Sequence, residues 1–191
     1  IFASMLGIPV GLAVGLTEFP LKRTVITALN SLMAVPTVLI GLLVYGFISR
    51  QGPFGSFGLL FTPSAVIIGD AILAAPIVAN LALSSVRGAN AAILPTAMTL
   101  GGDRLQSVLA LLSEIRFGMM AAVIAGFGRV VSEIGVAMML GGNILGYTRT
   151  MTTAIALETS KGEFALGIAL GIVLMAVALA VNVLFQFLQR K

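Results

Sequence analysis

The sequence contains no cysteine and no histidine. That excludes disulfides, thiol chemistry, zinc sites of the usual ligand types and imidazole acid–base catalysis. Charge is also scarce. Charged residues make up 9% of the chain, against about 25% in an ordinary soluble domain. No GxxxxGK[ST] phosphate loop is present, so the chain does not carry its own nucleotide motor. What is abundant is apolar: 59% of residues are hydrophobic and mean hydropathy is +1.12. The chain needs lipid around it. Its net charge of +4 is too thinly spread for a nucleic-acid surface, and bears instead on orientation in a membrane.

A membrane span needs about 20 predominantly apolar residues. Five segments meet or approach this: Ile1–Leu16, Val25–Ile48, Pro63–Val86, Phe117–Met139 and Phe164–Leu188. The chain opens in an apolar run without Met, and no signal-peptide pattern follows. It reads as an N-terminally truncated piece whose first helix is missing, five spans of an original six. Placing Lys22, Arg23, Arg87, Arg104, Arg116, Arg190 and Lys191 on one side leaves Arg50, Arg149 and Lys161 on the other, with Arg129 inside a span. The richer side is cytoplasmic by the positive-inside rule, which predicts that the Arg87–Glu114 loop and the C-terminus face the cytoplasm.

Small residues recur at four-residue spacing: Gly7, Gly11 and Gly15; Gly118, Ala122 and Gly126; Gly167 and Gly171. Such stripes let helix backbones approach closely. Packing within one subunit is the favoured reading, and a homodimer seam is the other. Thr62-Pro63 has the form of an N-cap followed by a first-turn proline. Pro36 and Pro76 fall mid-span, where a kink is expected.

The Arg87–Glu114 loop carries the most information. Asn90–Leu100 is expected to be one short helix, Gly101-Gly102 a break, and Asp103 the cap of a second helix with Gln106 as its capping-box partner. A helix, a glycine joint and a capped helix make a protrusion suited to a cleft on another protein. Ala97 with Gly101 four residues on resembles the cytoplasmic "EAA" loop of ABC importer permeases. Pro95 and Thr96 replace that pattern's Glu and Ala. Leu111 matches its later Ile, while Ser113 and Glu114 replace its Leu-Pro. The resemblance implies an ATPase-coupling loop made of Pro95, Thr96, Ala97, Leu100, Gly101 and Asp103.

Arg129 and Glu133 fall inside the fourth span, with Ser132 beside them. Charges at membrane depth cost about 2.5–3.5 kcal/mol each even on the gentlest scale, so they pair or face a wet cavity. At i and i+4 they share a helix face. A structural ion pair and a place on a translocation pathway are both open. Beyond them Gly141-Gly142-Asn143 ends the helix, and a polar run with Thr148, Arg149, Thr150, Thr152 and Thr153 reads as a solvated loop or, less favoured, an anion- or protein-docking patch. Asp70, roughly 10 Å into its helix at 1.5 Å per residue, is expected to face a neighbouring helix, protonated or hydrogen-bonded, because an acid on the pathway would repel an anion.

The block "RVVSEIGVAMMLGGNILGYTRT" resembles the R-A-L-G-E-F-G…GN…G-T-R-T block of the sulfate/molybdate/tungstate branch of ABC permeases. Arg129, Glu133, Gly135, Gly142, Asn143, Gly146, Thr148, Arg149 and Thr150 fall on its positions. Ser132 and Ile134 depart from it. That Ile, with "LNSLMAVPTVLIGLLVYGFISRQGPFG" and "TMTTAIALETSKGEF", is similar to the tungstate-type members.

The resemblance covers essentially the whole chain. It implies an all-α polytopic fold, the transmembrane domain of a type I ABC importer spanning residues 1–191, in a prokaryotic plasma membrane and working as a homodimer. It implies import of tungstate, or else molybdate or sulfate. It further implies an extracytoplasmic oxyanion-binding protein and a separate ABC ATPase that uses the ATP, this chain binding no cofactor or metal itself. Arg129, Ser132, Glu133 and Gly135 are the candidate pathway or gate, with Asn143 and Arg149 in the outer turn. The rival from another class is a stand-alone ion-coupled transporter in which Glu133, Asp70 and Arg129 relay protons. An enzyme is disfavoured by the missing His and Cys.

Overall fold

In a computed structural model, residues 1–189 are described, with side chains as far as Phe187. Arg190 and Lys191, two of the cations that set the expected orientation, lie outside the described residues. Ten α-helices and a 3₁₀ turn (Gly55–Phe57) make up the regular structure, and the described residues hold no strand. They are α1 Phe2–Leu16, α2 Lys22–Met33, α3 Thr37–Ile48, α4 Pro63–Gly88, α5 Ile93–Thr99, α6 Arg104–Glu114, α7 Arg116–Val131, α8 Gly135–Gly141, α9 Met151–Ser160 and α10 Phe164–Gln189.

Helix α4 is the axis of the fold. Thr62 caps it through a bond from the Ala65 N–H, Pro63 takes the first turn, and the helix runs unbroken through Pro76. Its buried face is mostly small: Ala65, Gly69, Ala74, Ala79 and Ala82. The glycine stripes fit against this face. A Cβ on Gly7 would lie 2.7 Å from the Ala75 carbonyl, and one on Gly11 would lie 2.7 Å from the Ala82 Cβ. On Gly15 it would lie 2.8 Å from Val86. From the other flank, Gly118 abuts Ser85, and a Cβ on Gly126 would come within 2.7 Å of Val78. Both stripes therefore serve packing inside one subunit, where dispersion between close backbones replaces the hydrophobic drive that lipid does not provide. The third pair behaves differently. Gly167 meets Thr159 of α9, whereas Gly171 faces open space.

The register of these contacts gives direction. Numbers rise together along α1 and α4 and fall along α7 as they rise along α4, so α1 and α4 are parallel and α7 runs back. The ends of α1 and α4 and the start of α7 thus meet at one pole, with Lys22, Arg23, Arg87 and Arg116 nearby. At the other pole, Ile40, Val44, Ile48, Ala65, Leu73, Val136 and Leu140 form an apolar core that binds α3 and α8 to the first half of α4.

Two expected spans are not single rods. Val25–Ile48 divides at Ala34–Pro36 into α2 and α3, inclined at 101°. Pro36 caps α3 instead of kinking one helix, because a proline drives the residue before it out of the helical region. Phe117–Met139 also divides. Helix α7 stops at Val131, α8 starts at Gly135, and α7 itself is bent 64° from α6. By length and composition, α4 and α10 are long and apolar enough to cross a membrane, with mean hydropathies of 2.1 and 2.8. The bent pairs α2–α3 and α6–α7 raise the count to four, and α1 is a shorter apolar helix. Helix α10 exposes Leu166, Ile172, Met175, Leu179 and Leu184, the composition of a face that meets lipid.

Candidate functional site

The break between α7 and α8 is organised by Glu133. One carboxylate oxygen meets Nη1 of Arg129 at 3.1 Å, and the other accepts the Val136 N–H at 3.0 Å. Its backbone carbonyl accepts the Thr152 hydroxyl at 2.7 Å. The Glu133 side chain is 3% exposed and that of Arg129 33%, so the acid is sealed while its cation reaches the surface. A carboxylate at the first turn of α8 also satisfies an N–H that has no partner inside the helix. Ser132 closes α7 by donating to the Arg129 carbonyl at 3.1 Å. Gly135 lets the start of α3 approach: a Cβ there would lie 2.8 Å from the Thr37 hydroxyl.

The outer turn belongs to the same unit. Gly142 and Asn143 both adopt positive φ, +68° and +51°. Arg149 donates from Nε to the Asn143 side-chain oxygen at 3.1 Å and from Nη2 to its backbone oxygen at 3.3 Å. Thr148 donates to the Gly141 carbonyl and accepts the Ile144 N–H. Thr150 and Thr153 form the capping box of α9. Thr148, Thr152 and Thr153 are buried, which overturns the solvated-loop reading: these hydroxyls hold structure together. Four of the sequence-selected residues (Arg129, Ser132, Glu133, Gly135) and the pair Asn143 and Arg149 are thus linked through α9, by Thr152 to the break and by Thr153 to Asn143. The sequence picked out Thr152 only as one member of a polar run, because a threonine in a Thr-rich run gives no sign that it will be buried against a helix break.

Asp70 stands apart. Its Oδ1 is buried with no hydrogen-bond partner among the described residues. It borders a cavity of about 290 Å³ with Phe2, Ala3 and Val130. It does face neighbouring helices, α1 and α7, as expected; of the two states expected of it, protonated or hydrogen-bonded, Oδ1 shows no hydrogen bond, and the acid makes no ion pair with Arg129.

At the opposite pole, α5 and α6 fold against each other as a protrusion. Helix α5 is shorter than expected, starting at Ile93 after an Asn90 side chain accepts the Ala92 N–H. Pro95 sits in its first turn, where a missing N–H costs nothing. The end of α5 is a full Schellman motif. Gly101 N–H bonds Met98 O and Gly102 N–H bonds Ala97 O, each at 3.0 Å. Gly101 has φ +90°, which explains its identity, since a Cβ there would meet nothing. Asp103 and Gln106 complete the capping box of α6 in both directions, at 2.7 and 3.0 Å. The tip leaves Met98, Leu100, Leu105 and Leu109 exposed.

Comparison with known proteins decides the family. The chain is 40% identical over 187 residues to a probable anion ABC transporter permease of Haloferax volcanii, covering 95% of this chain and 81% of that one. It is 39% identical over 189 residues to the tungstate uptake permease TupB of Peptoclostridium acidaminophilum, with coverages of 99% and 83%. It is 44% identical over 173 residues to TupB of Campylobacter jejuni, with coverages of 91% and 72%. The chain belongs to the tungstate-type ABC permeases.

The permease is more distantly similar to the molybdenum permease ModB of Escherichia coli, 24% over 155 residues, and to the sulfate permease CysT of Salmonella typhimurium, 26% over 182 residues. No family model matches it. Membership makes the permease a multi-pass transport subunit and sets aside the stand-alone ion-coupled reading. The Arg129–Asn143–Arg149 unit and the α5–α6 protrusion occupy opposite poles of one subunit.

Proposed function

We propose that residues 1–191 form one permease domain, the membrane-spanning subunit of an importer that carries tungstate into the prokaryotic cytoplasm. Two such subunits pair, an extracytoplasmic oxyanion-binding protein delivers the anion, and a separate ABC ATPase supplies the work. The observation that carries the substrate assignment is the identity to two tungstate uptake permeases, 39% and 44%, against 24–26% for the molybdenum and sulfate relatives.

The ATPase seats on the α5–α6 protrusion. Support comes from its construction: both helices are capped, the joint is fixed by a Schellman turn, and the tip presents Met98, Leu100, Leu105 and Leu109 to a partner. Exposed apolar side chains on a polar, rigid protrusion are the mark of a docking surface. The same pole gathers Lys22, Arg23, Arg87 and Arg116, which supports a cytoplasmic placement, with the C-terminus on that side. The Arg129–Glu133 break and the Asn143–Arg149 turn lie toward the outside and form the gate region.

Two measurements test this reading. The full-length permease, co-expressed with its ATPase, is captured by affinity, and Gly101→Arg loses capture while remaining folded. Vesicles carrying the whole importer take up labelled tungstate, with molybdate and sulfate competing weakly. Equal competition by molybdate sinks the substrate assignment, and capture undiminished by Gly101→Arg sinks the docking site.

A further inference from the structure

One feature of α2 and α4 is absorbed by neither the gate region nor the coupling protrusion. On α2, Arg23, Thr27 and Asn30 recur at i, i+4 and i+7 and so share a face. On α4, Asn80, Ser84 and Arg87 do the same. The two helices pack together, and the Asn80 amide lies 3.0 Å from the Met33 sulfur across the seam. Asn80 is roughly 12 Å short of the end of α4 at 1.5 Å per residue, which places it within the apolar span. Thr27, Asn30 and Ser84 are exposed. Thr27 is satisfied by the Arg23 carbonyl at 3.0 Å. Asn80 has only a thioether among the described residues, which is a weak acceptor.

Amides and hydroxyls left open at membrane depth are costly against lipid and are found facing water or protein. Helix α10 shows how this chain meets lipid, with an exposed face that is apolar from Phe164 through Leu179 and turns polar only at Asn182 and Gln186 near its end. The α2–α4 seam has the opposite character. At its cytoplasmic end, Lys22, Arg23 and Arg87 line a cavity of about 490 Å³ whose one acid is Glu18. Glu18 is committed to Lys22 at 2.7 Å, and neither arginine has an acidic partner within 4.0 Å among the described residues.

We propose that the α2–α4 seam is the wall along which the oxyanion moves inward, with Asn30, Asn80 and Ser84 as neutral donors and the Arg23–Arg87 cavity as its last station. The proposal rests on the import function argued above. The chemistry suits the cargo. A tetrahedral dianion gives up part of its hydration shell to N–H and O–H donors, and neutral donors hold it weakly enough to release it. Two free guanidinium groups at the mouth then draw it toward the cytoplasm, where their exposure keeps them screened and the binding loose.

Residues 1–191 hold no cysteine, so labelling is read on the isolated permease against the same importer without an introduced thiol. Single variants Asn30→Cys, Asn80→Cys and Ser84→Cys, with Leu179→Cys as the lipid-facing control, are assembled with ATPase and binding protein in vesicles. They are then treated with an anionic, membrane-impermeant methanethiosulfonate. The three seam positions are expected to react at least tenfold faster than Leu179→Cys, and sodium tungstate delivered with its binding protein should slow them severalfold. Reaction as slow as the control overturns the proposal, and so does fast reaction that tungstate leaves unchanged. Tungstate uptake by the unsubstituted importer is measured in parallel. Its absence would sink the import function itself, a result distinct from unreactive cysteines in a working importer.

Discussion

Arg129 and Glu133 meet at 3.1 Å across the end of α7, and the acid's second oxygen holds the first turn of α8. One side chain therefore ties two helices together across their break and carries a buried charge paired to a part-exposed cation. Removing either partner has unequal consequences. Arg129→Ala strands a buried carboxylate and is expected to cost about 3 kcal/mol, the low end for a broken buried pair because Arg129 is one-third exposed. The double variant Arg129→Met/Glu133→Gln keeps an acceptor for Val136 and should recover most of that loss. Thermal unfolding in detergent measures both, and an additive double variant would show that the two residues are not coupled.

The same pair tests the proposed gate. Arg129→Glu places two acids together and is expected to reduce tungstate uptake at least tenfold while ATPase capture persists. Uptake left intact by both Arg129→Ala and Arg129→Glu would remove Arg129 from the pathway.

The glycines of α1 differ from Gly171 of α10 in what surrounds them. Gly11→Leu is expected to push α1 away from Ala79 and Ala82 of α4 and to destabilise by about 1–3 kcal/mol. Gly171→Ala meets nothing within 4 Å and should be neutral or stabilise by up to about 1 kcal/mol through helix propensity. Paired melting curves distinguish them, and equal effects would contradict the packing.

At the protrusion, backbone conformation and side-chain volume separate cleanly. Gly101 has open space but φ +90°, so Gly101→Ala should cost about 1–2 kcal/mol in backbone strain alone. Asp103→Ala removes a cap worth about 1 kcal/mol. Hydrogen exchange at Leu105 and Gln106 should rise in the second variant and little in the first.

The outer turn gives a further contrast. Asn143→Gly keeps the left-handed backbone but loses the Arg149 acceptor, whereas Arg149→Ala loses both bonds to Asn143. Each is expected to loosen the turn by about 1–2 kcal/mol, with Asn143→Gly the milder. Limited proteolysis between Ile144 and Tyr147 reads the difference.

The sequence by itself determined the class, the all-helical fold, the glycine break in the protrusion and the capped start of its second helix. These depend on composition and on interactions three or four residues apart: Thr62 with Ala65, Asp103 with Gln106, Arg129 with Glu133. The glycine stripes were legible as stripes for the same reason. Only the tertiary structure decided what they faced, namely α4 of the same subunit for the stripes of α1 and α7 and, for Gly167, Thr159 of α9. It also decided that two expected spans were broken, since the apolar count across Ala34–Pro36 and Ser132–Ile134 is the same whether the backbone continues or turns. Burial of Thr148, Thr152 and Thr153 was invisible for a related reason. A hydroxyl's partner on another helix leaves no local pattern, and only the fold brings Thr152 to the carbonyl of Glu133.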